Sequence, residues 1–183
     1  IDALSDFAFY QTGALQKPVV AIDHLEQFLQ AEVSDLWTYY CVGQYRDVTN
    51  AFIAMPAART RILGVQLYLF QLEGFLQWGY NFYHRRQINP YETTDAGGVF
   101  PSGDPFQVYP GPDGNPEESL RFMNLHLAMQ DLRALEALET LRGREHVLQL
   151  LNECAQGLLT LTEYPRVAEF FDRLREKVNA ELV

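Results

Sequence analysis

Several side chains able to bind a ligand lie where predicted strands run into loops. The six that we expect to contact a substrate are Asp6, Tyr39, Trp78, Asn81, Asp104 and Tyr109. Aromatic rings stack on the apolar C–H faces of sugars, and amide, carboxylate and phenol groups hydrogen-bond to sugar hydroxyls. The carboxyl ends of parallel strands meet at one edge of a sheet, where ligands usually bind. The set therefore predicts a carbohydrate-binding cleft.

Ordinary structural roles could also explain some of these residues. Aromatic side chains on strands often belong to the core, and this interpretation fits Trp37 better than Trp78, which precedes Gly79 and a long loop. Asp6 could equally cap a helix or a turn. Further candidates at the same strand ends are Tyr40, Cys41 and Tyr80.

Hydrolysis of a glycosidic bond generally needs two carboxyl groups that flank the bond. The adjacent acids Glu117 and Glu118 lie where a helix is predicted to start, and acidic residues are favourable there because of the helix dipole. Asp6 and Asp104 are isolated along the chain. We therefore assign no catalytic residue within this sequence.

Other reaction chemistries lack their sequence signals. The chain contains no GxSxG, GxGxxG or GxxxxGK[ST] motif, and its two cysteines, Cys41 and Cys154, are far apart. The histidines show neither HxH nor HxxxH spacing, which makes a metal site improbable. The four are His24, His84, His126 and His146. We expect no metal and no organic cofactor.

Composition indicates one globular domain with a substantial core. The 183 residues are 48% hydrophobic, include 12 Phe and 10 Tyr, and carry a formal charge of −10. The longest basic run is Arg85-Arg86, which we interpret as a solvated loop pair. Nucleic acid and anionic membranes are therefore not expected partners. No apolar segment reaches the ~18 residues that span a bilayer.

Hydrophobic periodicity predicts an alternation of strands and helices. Predicted strands cover residues 1–4, 36–42, 75–78 and 106–109. Predicted helices cover residues 18–32, 56–73, 120–141, 145–161 and 165–182. Gly74 is expected to end the second helix, and residues 81–105 form a long loop without periodicity.

This order predicts an α/β fold with four parallel strands joined by helical crossovers. A closed (β/α)8 barrel needs eight strands and ~250 residues. Two architectures remain open: a small open sheet, or the second half of such a barrel. We expect residues 1–142 to form the sheet-containing unit and residues 143–183 a helical extension that packs on it.

A series of short motifs occurs in one order along the first three quarters of the chain. They read Trp-Thr-Tyr at residues 37–39, Arg-Ile-Leu-Gly at 61–64 and Gly-Phe-Leu-Gln-Trp-Gly-Tyr-Asn at 74–81. Asp104, Tyr-Pro-Gly at 109–111, Ser-Leu-Arg at 119–121 and Asp131 follow. This series resembles the catalytic domain of glycoside hydrolase family 123, a DUF4091-type domain.

The resemblance implies the carboxyl-terminal half of a (β/α)8 barrel and a retaining β-N-acetylgalactosaminidase activity. In that mechanism the acetamido oxygen of the substrate attacks the anomeric carbon, assisted by an adjacent Asp-Glu pair. The family's pair lies on an earlier strand, and this sequence contains no Asp-Glu dipeptide. Matching motif positions make Trp78, Asn81, Tyr39 and Tyr109 the candidates for substrate contacts, whereas Arg61, Ser119 and Arg121 are interpreted as structural.

We therefore expect this chain to be part of a glycosidase, to be inactive alone, and to bind a glycan or small sugar. Four strands cut from a barrel would expose two edges and an inner face near Trp37, Tyr39, Phe75 and Val108. The expected partner is a missing amino-terminal half-barrel or a second copy of the chain. The alternative is a non-catalytic carbohydrate-binding or structural half-barrel module.

Overall fold

A computed structural model describes residues 2–83 and 89–182, and it shows a mixed α/β fold built on a four-stranded parallel sheet. The strands lie side by side in chain order. They are β1 (Asp2–Ala3), β2 (Pro18–Ala21), β3 (Trp37–Tyr40) and β4 (Gly74–Gln77). The predicted α/β class and parallel sheet are confirmed.

Two short helices and one long helix connect these strands. They are α1 (Phe7–Tyr10), α2 (Glu26–Gln30) and α3 (Ala57–Leu69). A hairpin of β5 (Val108–Pro110) and β6 (Pro116–Glu118) follows the long loop. The chain ends in α4 (Leu120–Arg142), α5 (Arg144–Ala155) and α6 (Ala168–Glu181).

The predicted helix at residues 18–32 is wrong in its first part. Pro18–Ala21 is a fully buried strand between β1 and β3, and helical structure starts only at the 3-10 turn Ile22–His24. Proline is tolerated at the first position of a strand, and the β-branched Val19 and Val20 favour extended backbone. Ile22, which starts the helical periodicity, follows the strand directly.

The predicted fourth strand, residues 106–109, does not join the parallel sheet. β5 pairs antiparallel with β6 through a turn at residues 111–115, which is far too short for a parallel crossover. Glu117 and Glu118 consequently lie in β6, so their assignment to a helix start was wrong. The helix α4 begins after Ser119, whose Oγ accepts the Phe122 N–H at 3.1 Å.

Gly74 does not end α3, as the sequence suggested. The helix stops at Leu69, and the residue with left-handed backbone is Gln71, with φ of 52°. Gly74 is instead the first residue of β4. A Cβ there would lie 2.3 Å from the indole of Trp37 on the neighbouring strand, so the position requires glycine. Farther along, α5 ends at Ala155 rather than near residue 161.

The two faces of the parallel sheet differ in their cover. Val20 and Tyr40 belong to a buried cluster with Leu63 and Leu67 of α3, so helices cover this face. Strand register places Phe75 beside Thr38 on the same face, and Phe75 packs against that cluster. The expectation that Phe75 lies on the inner face was therefore wrong.

The opposite face carries Trp37, Tyr39 and Leu76. Leu76 is 38% exposed, while Trp37 and Tyr39 are half-buried. Val108, which we also expected near this face, is buried in the hairpin and not on the parallel sheet. Among the described strands, β1 and β4 are the sheet edges.

The carboxyl-terminal helices share one core with α3. Buried residues from α3, α4, α5 and α6 form a single cluster that includes Ile62, Leu138, Leu151 and Phe171. The buried carboxylate of Asp131 in α4 lies within this region. It accepts hydrogen bonds from Arg61 of α3 at 2.7 and 3.1 Å and from Arg175 of α6 at 2.5 Å.

α3 and α4 approach each other closely at Gly64, so a single added methyl group there should be destabilising. A Cβ on Gly64 would lie 1.9 Å from the carbonyl oxygen of Ala128. We expect Gly64→Ala to lower the free energy of unfolding by about 3 kcal/mol or more, because the two helices must separate. Urea unfolding of the chain measures this change.

Gly157→Ala is the matched control. Nothing lies within 4 Å of a Cβ at Gly157, and its backbone is not left-handed. The control should stay within about 1 kcal/mol of the wild-type chain. Equal effects of the two substitutions would contradict the packing argument.

Candidate functional site

The half-buried indole of Trp78 lies at the carboxyl end of β4, where the strand runs into the long loop. Its ring packs against Phe82 and Phe100, with centroids 5.7 and 5.2 Å away. The indole Nε1–H donates a hydrogen bond to Asp104 Oδ1 at 3.3 Å. Three aromatic rings and one carboxylate therefore meet at this edge of the sheet.

Asp104 is buried, with only 3% of its surface exposed. Burial raises the pKa of its carboxyl group to about 6, although the hydrogen bond from Trp78 and the positive charge of Arg121 both act to lower it. Its second oxygen, Oδ2, has no hydrogen-bond partner within residues 2–83 and 89–182. This carboxyl group therefore binds its proton more tightly than an ordinary aspartic acid does.

Arg121, in the first turn of α4, fastens the loop that carries Asp104. Its Nη1 donates to the carbonyl oxygens of Gly103 and of Phe106, the latter at 2.7 Å. The guanidinium carbon lies 5.0 Å from the centroid of the Phe106 ring. These contacts agree with the structural role predicted for Arg121.

Several side chains of β3, β4, the segment around Asp104 and the first turn of α4 have buried polar atoms. Tyr40, at the end of β3, is 1% exposed, and burial raises the pKa of its phenol, with smaller electrostatic effects from Arg121 and Asp104. Gln77 pairs with Tyr40 in the strand register. Within the described part of the chain, side-chain atoms of Tyr40, Gln77, Asp104, Gln107 and Arg121 are buried without a hydrogen-bond partner.

The other predicted site residues lie at different distances from Trp78. Asn81 is exposed, three residues farther along, and its backbone bridges to Phe106. Tyr39 lies at the end of β3 on the sparsely covered face of the sheet. Tyr109 is half-buried in the hairpin, and with Arg121 it lines a cavity of about 500 Å³ at the start of α4.

Asp6 is not brought to this group. Its Oδ1 accepts the Phe9 N–H at 3.1 Å, so it is the N-cap of α1, which is the alternative considered for it. It follows β1, three strands away from β4, which corresponds to about 14 Å at the usual strand spacing.

Sequence reasoning missed the two aromatic partners of Trp78. Phe82 and Phe100 lie in a segment without periodicity, and no sequence signal places them beside the indole. Asp23, which follows the carboxyl end of the central strand β2, was also missed, because residues 18–21 were interpreted as helix rather than strand. The β-branched pair Val19-Val20 before it was the available signal.

Neither a metal cluster nor a membrane span is evident in the part of the chain that the structure describes. No three His, Cys, Asp or Glu side chains converge there as metal ligands. No helix within these ranges is both long and apolar enough to cross a bilayer. His84 and the pair Arg85-Arg86, interpreted as a solvated loop pair, lie outside the described residues.

Comparison with known protein families identifies a match over most of the chain. The family described as glycoside hydrolase 123, catalytic domain, matches residues 1–138. The match covers the parallel sheet, the long loop and the hairpin, and it ends inside α4. No curated protein matches the chain.

The raised pKa of Asp104 predicts a specific pH dependence of stability. Between pH 4 and 6 the folded chain binds this proton more tightly than the unfolded chain, so stability falls as the pH rises through this window. A shift from 3.8 to about 6 corresponds to at most about 3 kcal/mol. Urea unfolding at several pH values measures this loss.

Asp104→Asn removes the titrating group and keeps an acceptor for Trp78. Relative to this variant, the wild-type chain should lose stability between pH 4 and 6 and stay level above that range. Parallel stability curves for the two proteins would show that Asp104 titrates normally.

Proposed function

The chain belongs to the glycoside hydrolase 123 catalytic-domain family, and from this we propose that it supplies the sugar-binding side of a glycosidase cleft. The observation that carries this proposal is the half-buried Trp78 indole at the carboxyl end of a parallel strand. Ligands of α/β sheets bind at this end. An indole face offers a flat apolar surface for the C–H face of a sugar ring.

Polar groups that can hydrogen-bond to sugar hydroxyls surround this platform. The side-chain amide of Asn81 is exposed, and no hydrogen bond to it occurs within the described residues. Tyr39 and Tyr109 are half-buried, so part of each residue remains accessible. We propose these three residues, together with Trp78, as the substrate contacts of the chain.

Within this family-based proposal, the reaction is that of a retaining, substrate-assisted β-N-acetylgalactosaminidase. The substrate's own acetamido oxygen attacks the anomeric carbon, and an Asp-Glu pair orients the acetamido group and transfers the proton. No Asp-Glu dipeptide occurs in this sequence, so we propose that the pair is supplied from outside this chain.

The shape of the sheet supports a half-barrel arrangement for residues 1–142. The four parallel strands leave β1 and β4 as edges, and the face with Trp37, Tyr39 and Leu76 is only partly covered. In a closed barrel this would be the inner face, and further strands would pair with both edges. Residues 143–183 would be the helical extension, and α5 and α6 do pack into the core that α3 and α4 share.

The second candidate function is a non-catalytic carbohydrate-binding or structural half-barrel module. The lack of an Asp-Glu dipeptide favours it if no other polypeptide supplies the pair. Such a module would bind sugar through Trp78, or bind none, and would hydrolyse nothing.

The proposed platform predicts a large effect of truncating Trp78. In the protein that includes the catalytic pair, Trp78→Ala should lower kcat/KM for an N-acetylhexosaminide at least about tenfold, because the sugar loses its stacking surface. Steady-state kinetics with a chromogenic N-acetyl-β-galactosaminide measures the change.

Leu141→Ala is the control, since Leu141 is an exposed apolar residue near the carboxyl end of α4, about 30 Å along the helix from Arg121. Its kcat/KM should match that of the wild type. If Trp78→Ala also leaves kcat/KM unchanged, Trp78 is not part of the site.

The open face predicts exposed apolar surface in the isolated chain. We expect the chain alone to bind an apolar-surface dye or to self-associate, and Leu76→Gln to reduce either behaviour, because Leu76 lies on that face. Leu158→Gln is the control, since Leu158 is 73% exposed in the segment between α5 and α6. A chain that stays monomeric at high concentration without binding dye would argue against the half-barrel.

A further inference from the structure

We propose that Asp104 is a positioning residue. Its carboxylate holds the Trp78 indole in the orientation in which the indole face can stack on a sugar ring. The inference deepens the function proposed for Trp78 and rests on it. The contacts from which it is argued are all made between residues of the protein itself.

The indole has one polar atom, and Asp104 binds it. Nε1–H can only donate, and it donates to Asp104 Oδ1 at 3.3 Å. Phe82 and Phe100 contact the same ring but provide no directional bond. The carboxylate is therefore the group that sets the rotation of the ring about its side-chain bonds.

The backbone of Asp104 is held firmly enough to serve as such an anchor. A Cβ on Gly79, the residue after Trp78, would lie 2.7 Å from the Asp104 carbonyl oxygen, so the two segments are in close contact. The Phe82 N–H also donates to Pro105 O at 3.0 Å. Arg121 fixes the other side of the loop through Gly103 and Phe106.

The carboxylate is too deeply buried to contact a sugar on the surface. Asp104 is 3% exposed, whereas Trp78 remains half-buried. An influence of Asp104 on a ligand must consequently pass through the indole. This distinguishes it from Asn81, whose side chain is exposed.

The charge on Asp104 should determine how firmly the indole is held. An ionised carboxylate accepts a stronger hydrogen bond than a neutral carboxyl group. The groups that face it are the guanidinium of Arg121 from α4, the phenol of Tyr40 from β3 and the indole itself. Because burial raises the pKa of Asp104 to about 6, the hold on Trp78 should strengthen as the pH rises through that value.

The chain allows this to be measured without a ligand, because Trp37 and Trp78 are its two tryptophans. In a Trp37→Phe background, all tryptophan fluorescence comes from Trp78. We expect its anisotropy to rise, and its quenching by acrylamide to fall, with a midpoint near pH 6. Asp104→Asn should abolish this pH step. Asp104→Ala should leave the Trp78 indole as mobile at every pH as it is in the wild type below pH 6, with low anisotropy and strong quenching.

Asp95→Asn is the matched control. Asp95 lies in the same loop, and its Oδ1 accepts the backbone N–H groups of Gly97 and Gly98 at 3.0 and 2.9 Å. This substitution should leave the pH step intact. Circular dichroism melts verify that each variant is folded, and Asp104→Asn serves as the test if Asp104→Ala is not.

The functional measurement is the titration, with N-acetylgalactosamine, of the protein that includes the catalytic pair. Asp104→Ala should weaken binding about tenfold, and Asp104→Asn should restore most of it because it keeps the acceptor. A fluorescence step that survives Asp104→Asn, or sugar affinity equal in the Ala variant and the wild type, would overturn the positioning role. If the wild type binds no sugar while the pH step depends on Asp104, the function proposed for Trp78 fails and the anchoring of its indole stands.

Discussion

The close packing of α4 on α3 determines the positions of both the core and the candidate site. Gly64 lets the two helices approach until its backbone meets the carbonyl of Ala128. With that contact fixed, Asp131 lies between Arg61 and Arg175, and its buried charge is compensated from two helices. Removing one partner of such a group is costly, since the remaining charge stays buried.

The same helix reaches the edge of the sheet with its first turn. Arg121 lies one residue after the start of α4 and binds the loop that carries Asp104. Asp104 in turn binds the indole of Trp78 at the end of β4. The packing of α4 on α3 therefore places Arg121, Arg121 holds the loop that carries Asp104, and Asp104 binds the Trp78 indole.

Helices cover only one face of the parallel sheet completely. One face is sealed by α3 and its neighbours, while the face with Tyr39 and Leu76 stays partly open between β1 and β4. A parallel sheet is normally covered on both faces, because its strands are joined by helical crossovers or close into a barrel. The partner that we propose for the sheet would cover this open face.

The sequence by itself determined the α/β class, the strand at Trp37, the long helix after Pro56 and the family, because these depend on local periodicity and on short motifs. Val19 and Val20 favour extended backbone, but tertiary structure alone decided that this strand lies between β1 and β3 and that β5 turns back on β6. Each of these pairings depends on which neighbour supplies hydrogen bonds. It also brought Trp78, Phe100 and Asp104 together and left Asp6 as a cap. Residues so far apart in sequence meet only through packing, which no local pattern encodes.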